Sequence, residues 1–526
     1  MVDPLDRRAD ADYLPPIRHH TATAAERLNT TRRTVVIGAG MGGLAASIDL
    51  ARSGRAVTLI EKAPYVGGKL RSLEPQGRAI DAGPTVFTMR HVFESLFADA
   101  GRRLEDELRL HPASLLARHV WGSDPAILDL HADPKLSMDA IAAFAGASEA
   151  RGFGEFLDRA GALHECLREP FMMSPRPTTS GLMREIGFAG MLTMWRTPPW
   201  LTLWRALTEH FRDPRLRQLF ARYATYVGSS PLQAPATLML IAHVEQSGVW
   251  LVEGGMRRVA EALASLAMHC GASLRLGSGA RRVEIKDGRI AGVHLEDGDF
   301  IPADNVIFNG DTQALADGLL GEDLRRAVTA RRRSERGLSA VTWCIDAPTR
   351  GFDLAHHNVF FGDDYPREFS DVFERRKITT QPTIYLCAQD RGKASSPLKA
   401  GDAERVLMLV NAPADGDHDG LTDNELAELE QRVFSRLETS GLIVSRKSEH
   451  LVATRPQDFA RLFPATGGSL YGSANHGAFA SFARPTARTP IQGLYLAGGS
   501  VHPGPGVPMA TLSGRLAAAC LLRDTD

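Results

Sequence analysis

The sequence predicts an α/β fold in which a buried parallel sheet is assembled from both ends of the chain. A short apolar strand at residues 35–37 runs into a glycine-rich turn at residues 38–43 and then into a helix. A second glycine pair follows at residues 67–68, and a third, at 498–499, comes directly after another short apolar run. Strands that alternate with helices in this order are typical of doubly wound α/β domains.

The first strand–turn–helix unit has the glycine spacing of a dinucleotide-binding loop. Gly38 allows a tight turn, Gly40 leaves the backbone open to a diphosphate, and Gly43 lets the helix pack closely on the strand. The N-terminal amides of that helix would face the phosphates. The second strand, residues 56–60, ends at Glu61, where an acid accepts hydrogen bonds from ribose hydroxyls. An acid at this position disfavours NADP, whose 2′-phosphate prefers an arginine.

Composition fits a large soluble enzyme and excludes several other classes. The chain has 526 residues, of which 44% are hydrophobic and 23% charged, which is too long for a single core. A net charge of -1 gives no reason to expect nucleic acid as a partner. Five scattered cysteines without a CxxC pair indicate neither a zinc site nor a redox dithiol. The sequence contains no uninterrupted apolar run long enough to span a membrane.

The organisation along the chain is expected to be discontinuous. Residues 1–33 are polar, lack the apolar core of a signal peptide and are interpreted as a disordered extension. Residues 34–101, 245–312 and 460–526 are expected to form one dinucleotide-binding domain. The stretch 102–244 is predicted to be helical and apolar, and 313–459 to form a mixed α+β substrate domain.

The third glycine pair is followed by a helix predicted over about 508–522, with Pro508 in its first turn. A ligand held by both ends of the chain is most simply FAD. The N-terminus of this helix is positioned to face the flavin, where its partial positive charge favours electron acceptance by the ring. The alternative is an ordinary strand–turn–helix that closes the sheet.

Four segments carry a resemblance to the bacterial carotenoid desaturases of the phytoene desaturase family. They are residues 35–44, the Gly-Gly-Lys at 67–69, Asp-Ala-Gly-Pro-Thr-Val at 81–86 and residues 493–504. Within that family the chain is most similar to the hydroxyneurosporene and methoxyneurosporene desaturases, which are 1-hydroxycarotenoid 3,4-desaturases. Loops at 84–90, 220–228 and 502–509 suggest this branch, and the similarity covers essentially all of residues 34–526.

The resemblance implies a Rossmann-type FAD-binding domain and FAD-dependent desaturation of an acyclic carotenoid, with 3,4-desaturation of a 1-hydroxycarotenoid as the expected reaction. It also implies cofactor contacts along the whole length of FAD: the phosphate loop, the ribose acid, the loop flanking the diphosphate, the strand whose backbone meets the adenine, and the flavin end. In that order the matching residues are Gly38, Gly40 and Gly43; Glu61; Gly68 and Lys69; Val283; and Gly499, Ser500 and Met509.

The region 171–204 has helical stripes that suggest contact with a membrane surface. Phe188, Met191, Leu192 and Trp195 fall on one helical face, and Trp200, Leu203, Trp204 and Leu207 repeat the spacing. Aromatic residues flanked by arginines suit a lipid interface, whereas apolar stripes at this spacing more commonly face a core. With a lipophilic substrate implied, we expect a cytoplasmic protein held peripherally on the inner membrane.

The sequence contains no recognisable acid–base constellation, so no catalytic residue is assigned, and no metal site is expected. Histidines near the motifs, such as His476 and His502, are expected to be structural hydrogen bonders. Because no second nucleotide motif follows a downstream strand, oxygen or a quinone is the expected electron acceptor. The oligomeric state stays open.

Three alternatives remain at this stage. The first is a phytoene desaturase that acts on carotenes without a hydroxyl, and the second is a flavin amine oxidase of the same fold, which would need an aromatic cage around the amine. The third is a non-enzymatic carrier of prenylated proteins, which would have lost the phosphate-loop glycines that are intact here.

Overall fold

The structure is a computed structural model that describes residues 32–122, 126–392, 399 and 401–525. Nearly all of the extension assigned to residues 1–33 lies outside the described residues. Arg32 and Arg33 are the exceptions, and Arg33 already belongs to the first strand, where its N–H donates to Asp304 Oδ2 (2.7 Å).

The described strands, numbered in chain order, form several sheets. They are β1 Arg33–Ile37, β2 Ala56–Ile60, β3 Ser72–Leu73, β4 Ile80–Asp81, β5 Leu110–Pro112, β6 Leu115–Trp121, β7 Ala126–His131, β8 Trp250–Val252, β9 Ser273–Arg275, β10 Ala280–Lys286, β11 Arg289–Leu295, β12 Phe300–Pro302, β13 Asn305–Phe308, β14 Ser339–Arg350, β15 His357–Phe360, β16 Ile384–Ala388, β17 Ala403–Ala412, β18 Ile443–Val444, β19 Leu451–Thr454 and β20 Leu494–Leu496.

The described α-helices are α1 Met41–Arg52, α2 Arg90–Asp99, α3 Leu104–Glu107, α4 Pro134–Ala145, α5 Ala147–Leu167, α6 Thr179–Glu185, α7 Gly187–Arg196, α8 Leu203–His210, α9 Pro214–Ala221, α10 Leu240–Gln246, α11 Arg257–His269, α12 Gln313–Ala316, α13 Tyr365–Phe373, α14 Asp423–Thr439, α15 Pro456–Leu462 and α16 Val507–Thr525. A π-helical turn covers Arg168–Met172, and short 3-10 turns cover Arg222–Val227, Ala236–Met239, Glu322–Ala327, Arg333–Glu335 and Ser448–His450.

A five-stranded parallel sheet in the order β20-β13-β1-β2-β9 positions the site. Val36 in the central strand pairs with Leu59 on one side and with Ile307 on the other. The strands are largely apolar because both faces of the sheet are covered: helices α1, α11 and α16 pack on one face, and the three-stranded sheet β10–β12 packs on the other. The predictions of β1, α1 and β2 are confirmed, and the five strands lie at residues 33–60, 273–308 and 494–496.

Helices α1 and α16 pack against each other so closely that small residues are required between them. A Cβ added at Gly514 would overlap the carbonyl oxygen of Gly42. Next to this contact the buried Arg515 Nε donates to Asp49 Oδ2 at 3.0 Å, and Arg515 also pairs with Asp99. This ion pair joins the C-terminal helix to the first helix of the same domain.

The second large sheet has eight strands, in the order β18-β14-β17-β16-β15-β6-β7 with β19 beside β14. The prediction that residues 102–244 are helical is wrong for β6 and β7, which enter this sheet next to β15. The alternation of apolar and polar residues in Ala126–His131, where Leu128 and Leu130 are buried, is a strand pattern. From Pro134 onward the region is helical as predicted.

The two helical stripes of the region 171–204 behave differently. In α7 the stripe faces outward, with Phe188 81% and Trp195 78% exposed. The second stripe is divided, because Trp200 is 76% exposed whereas Leu203 and Leu207 are fully buried. No helix among the described residues combines the length and the apolar character needed to cross a bilayer.

The contact between α1 and α16 gives a test of the fold. Gly514→Ala forces a methyl group onto the Gly42 carbonyl, so we expect it to destabilise the protein by about 2 kcal/mol or more. The matched control is Gly154→Ala in α5, where the added methyl meets only Met138 Cε at 3.7 Å. There the higher helix propensity of alanine should stabilise the protein by about 0.5–1 kcal/mol. Urea unfolding of both variants measures the difference; equal effects would contradict the packing described here.

Candidate functional site

A single continuous cavity of about 940 Å³ joins the two large sheets. One end lies at the carboxyl edge of the five-stranded sheet and is lined by Gly38, Gly40, Glu61, Gly68 and Gly499. The other end is an apolar chamber between the helices and the eight-stranded sheet. The residues that line this chamber include Leu182, Met194, Leu238, Ile241, Val359 and Leu409.

The side chain of Asn309 is the point at which the glycine segments meet. Asn309 follows β13, and its Nδ2 donates to the Gly38 carbonyl at 3.0 Å. A Cβ at Gly40 would lie 2.9 Å from Asn309 Nδ2, and one at Gly498 would lie 2.8 Å from Asn309 Oδ1. A Cβ at Gly43 would overlap the Gly38 carbonyl, which confirms the close helix–strand packing expected there. Glycine is therefore required on both sides of this amide.

Glu61 supports the glycine loop from the end of β2. Its Oε2 accepts the Ala39 N–H at 2.8 Å and its Oε1 accepts the Ala63 N–H at 2.9 Å. Each carboxylate oxygen keeps a further lone pair, and the residue lines the cavity. The carboxylate thus holds the loop in place and leaves acceptor capacity toward the cavity.

The loop that carries the second glycine pair lies directly across from the first. The Gly67 N–H donates to the Ala39 carbonyl at 2.8 Å, and a Cβ at Gly68 would be 3.3 Å from the Gly40 Cα. Gly67 and Gly68 both have positive φ angles, of 114° and 57°. The two loops meet through backbone atoms alone, and their glycines line the cavity without side chains that would fill it.

Three cations and one acid surround the cavity near the third glycine pair. Lys69 Nζ donates to the Leu470 carbonyl at 2.5 Å, and Arg331 pairs with Asp311. Arg484 is buried and donates to the Gly499 carbonyl (3.3 Å) and to Asn475 Oδ1 (3.1 Å). Burial lowers the pKa of Arg484 to about 10 and that of Lys69 to about 8. The surplus of positive charge favours an anionic ligand.

The turn before α16 closes this end of the cavity. Gly499, Ser500 and Met509 line it, and Ser500 Oγ accepts the Thr312 N–H at 3.2 Å. The first turn of α16 also lines the cavity through Val507 and Pro508. The N-terminus of a long helix therefore points at the ligand space, as the sequence predicts.

The structure brings most of the sequence-predicted site residues together. Gly43 lies behind the loop, where it permits helix packing. Val283 lies outside the cavity lining, and its N–H donates to the Leu320 carbonyl at 2.9 Å. At that end the lining is formed by Ser278, Gly279 and Ala280 instead.

Sequence reasoning missed Asn309, Arg331 and Arg484. The position of Asn309 directly after a buried parallel strand is a signal that points to the carboxyl edge of the sheet. The two arginines lie in irregular segments and carry no comparable signal.

The histidines near the motifs are structural, as expected. His502 Nε2 is 2.9 Å from the Phe171 carbonyl, and His476 Nε2 accepts the Ser230 N–H at 3.0 Å. Burial lowers the pKa of each to about 4, so both are neutral at physiological pH.

Comparison with known proteins identifies the family. Residues 204–522 match the flavin containing amine oxidoreductase family, and residues 36–100 match an NAD(P)-binding Rossmann-like domain. The hydroxyneurosporene desaturase of Rubrivivax gelatinosus is 48% identical over 94% of both chains. The chain belongs to this flavin oxidoreductase family. The hydroxyneurosporene desaturase of Cereibacter sphaeroides is 45% identical over 94% of this chain and 98% of the relative. A 4,4'-diapolycopene oxygenase from a Methylomonas species is 32% identical over 94% of this chain and 99% of the relative.

Solved structures with little sequence identity show the same fold. A putrescine oxidase superposes with a TM-score of 0.57 over 94% of this chain and 99% of that one, at 14% identity. An oxidoreductase from Methanosarcina mazei superposes with a TM-score of 0.55 over 92% of this chain and 99% of that one, at 17% identity. The protein is a flavin-dependent oxidoreductase, and the glycine cradle with its surplus of cations fits such a cofactor.

Lys69 offers a test of the electrostatics. Its pKa in the folded protein is about 8, against 10.5 in the unfolded chain, so between these values the unfolded chain binds more protons. The free energy of unfolding of the apoprotein should therefore rise as the pH increases from about 8 to 10.5. Lys69→Met should remove this rise and stabilise the apoprotein at pH 7 by about 1–2 kcal/mol.

The same variant should bind flavin more weakly, by about tenfold or more, because a charge-assisted contact is lost. Denaturation across this pH range and flavin titration measure the two effects. Lys135→Met, at an exposed lysine, is the control and should change neither. A Lys69→Met protein with lower stability and normal flavin affinity would overturn the assignment.

Proposed function

We propose that the protein uses FAD to introduce a double bond into an acyclic carotenoid, by 3,4-desaturation of a 1-hydroxycarotenoid. The observation that carries the proposal is the continuity of the cavity, which leads from the glycine loops directly into a long apolar chamber. The hydroxyneurosporene desaturases, at 43–48% identity along nearly the whole chain, support this substrate class.

The dinucleotide form of the flavin is supported by the extent of the lining, which includes residues 278–280, the glycine loops and the turn at residues 499–509. We assign the diphosphate to Gly38, Gly40 and Gly68, and the adenosine ribose to the free lone pairs of Glu61. The adenine end is assigned to the strand that contains Val283, with Ala280 rather than Val283 itself at the cavity. At the opposite end, the assignment places the flavin against the turn at residues 499–509.

The residues of the chain orient the substrate and exclude water from it. When bound, FAD supplies a two-electron acceptor for the hydride that leaves the substrate. Loss of hydride from a polyene leaves a delocalised cation whose neighbouring proton is acidic, so a weak base suffices. Because a weak base is enough, the reaction does not need an acid–base pair like those of hydrolases. The main task of the apolar lining is to hold the substrate next to Ser500 and Met509.

The alternatives account less well for the chamber. An amine substrate is cationic, and the chamber offers it no net negative charge, because Glu245 in the lining is balanced by Arg222. A carrier without a cofactor leaves the constrained glycines at 38–43 unexplained. A general phytoene desaturase differs only in its substrate. The proposed electron acceptor is oxygen or a quinone, because no second nucleotide motif is present in the sequence.

A peripheral position on the inner membrane is the second part of the proposal. Six exposed large apolar residues form what we term the 183–200 patch: Met183, Phe188, Met191, Leu192, Trp195 and Trp200. Arg184 and Arg196 are exposed beside it, where they can meet lipid headgroups. Met183 also lines the cavity, so the patch lies at the cavity's opening. A substrate dissolved in lipid would then enter without crossing water.

The reaction itself can be followed by colour. We expect FAD-loaded protein with oxygen or a quinone to convert a 1-hydroxycarotenoid into a product with one more conjugated double bond, seen as a red shift in absorption. Without an acceptor, turnover should stop near one equivalent per FAD. The control is Gly40→Val, which should lose FAD because its side chain clashes with Asn309. Conversion of phytoene alone would favour the general desaturase, and amine oxidation without carotenoid conversion would refute the proposal.

Membrane contact is tested by removing the outermost apolar side chains. The triple variant Phe188→Ser, Trp195→Ser and Trp200→Ser should reduce binding to anionic liposomes by about tenfold or more, while FAD content stays normal. A control triple variant replaces the scattered exposed residues Leu136, Met268 and Ile443 with serine and should retain liposome binding. Cosedimentation measures both. Equal losses in the two variants, or lost FAD in the first, would contradict the assignment.

A further inference from the structure

One wall of the apolar chamber carries a hydrogen-bonded polar cluster that the proposed reaction does not require. Tyr223 OH donates to Glu245 Oε2 at 2.6 Å, and Tyr226 OH donates to Glu245 Oε1 at 2.8 Å. Arg222 Nη2 in turn donates to the Tyr226 oxygen at 3.0 Å. Arg222, Tyr226 and Glu245 line the cavity. Such a network is costly to bury, so its presence needs a reason.

Some buried polar atoms of the chamber have no hydrogen-bond partner in the described part of the chain. Among the described residues, Arg222 Nε, Tyr365 OH and Thr342 Oγ1 are buried without a hydrogen-bond partner. Tyr365 is only 3% exposed and lines the cavity. The guanidinium of Arg222 lies close enough to the Tyr365 phenol for the two to interact electrostatically. Buried polar groups normally have partners, so these atoms indicate a polar ligand atom.

The charge of the cluster indicates whether the ligand atom that it binds is charged or neutral. Arg222 and Glu245 balance each other, and both oxygens of Glu245 are already occupied by phenols. Burial raises the pKa of Tyr226 above its ordinary value, so this phenol stays protonated. An anion or a cation would disturb the balance, whereas a neutral oxygen accepts from the remaining donors without changing it.

The cluster lies close to the turn assigned to the flavin. Gly228 follows the Arg222–Val227 turn, and a Cβ added to it would lie 2.5 Å from the Tyr471 side chain. The next residue, Gly472, would bring a Cβ within 3.1 Å of the Ser500 Cα. Residues 471–472 therefore bridge the end of the turn that carries Arg222 and Tyr226 and the segment at Ser500, and the turn and Ser500 both border the same cavity. An oxygen bound here would belong to a carbon near the oxidised bond.

We propose that Arg222, Tyr226 and Tyr365 form a subsite that binds the neutral oxygen, a hydroxyl or a methyl ether, at one end of an otherwise apolar substrate. The inference rests on the proposed function, because it assigns the polar end of that substrate. The subsite fixes how far the substrate enters the chamber. It thereby determines which carbon–carbon bond of the substrate lies beside Ser500. Arg222, Tyr226 and Tyr365 thereby determine specificity.

The test uses Tyr365→Phe, since that change removes only a hydroxyl that has no hydrogen-bond partner among the described residues. For the wild type and the variant, kcat/KM is measured on a 1-hydroxycarotenoid, its methyl ether and the matched carotene without oxygen. The ratio of the oxygenated substrates to the carotene should fall about three- to tenfold, mainly through KM. The Tm should stay the same or rise, because no hydrogen bond is lost. Arg222→Met should lower the ratio further.

Tyr495→Phe is the control, since its hydroxyl bonds Asp524 away from the cavity, and it should leave the ratio unchanged. An unchanged ratio in Tyr365→Phe, or an equal loss on all three substrates, would overturn the subsite while leaving the desaturase function intact. Loss of the preference for the hydroxyl but not for the ether would restrict the subsite to alcohols. A wild type that converts none of these carotenoids would refute the proposed function and the subsite with it.

Discussion

The amide of Asn309 constrains the whole cofactor region. Its two polar atoms lie between the first glycine loop and the turn near the C-terminus, so Gly40, Gly42 and Gly498 have no room for side chains. The Gly38 carbonyl accepts its hydrogen bond. Because the strands carrying these segments are neighbours in one sheet, moving any of them moves the others.

Both ends of the cavity hold buried charge, but they do so differently. Near Ser500, Lys69, Arg331 and Arg484 outnumber Asp311, which suits a ligand that brings negative charge. In the chamber Arg222 and Glu245 balance, which suits a neutral ligand. Sites of function commonly violate the rule that charges avoid the interior, and the sign of the imbalance indicates the ligand's charge.

The sequence predicted what depends on local backbone constraints and missed what depends on distant contacts. The glycines at 38–43, the acid at Glu61 and the strands around them are visible because turns and parallel strands restrict residue type locally. Arg484, which donates to the carbonyl of Gly499, and Tyr365, which lines the cavity, lie in an irregular and a helical segment, and their roles depend on contacts that the local sequence does not reveal. The strands β6 and β7, at residues 115–131, were missed because β15, the partner that joins β6 to the large sheet, lies more than two hundred residues downstream.

The order of strands in the five-stranded sheet has a consequence for biosynthesis. β20 forms one edge of that sheet beside β13, and α16 covers α1, yet both are the last of the described elements to leave the ribosome. Until they emerge, the apolar face of α1 lacks its partner and the glycine loop lacks its closing turn. The nascent chain therefore depends on protection from aggregation until β20 and α16 have been translated. Ribosome stalling before residue 494 would yield chains that chaperones retain and proteases remove.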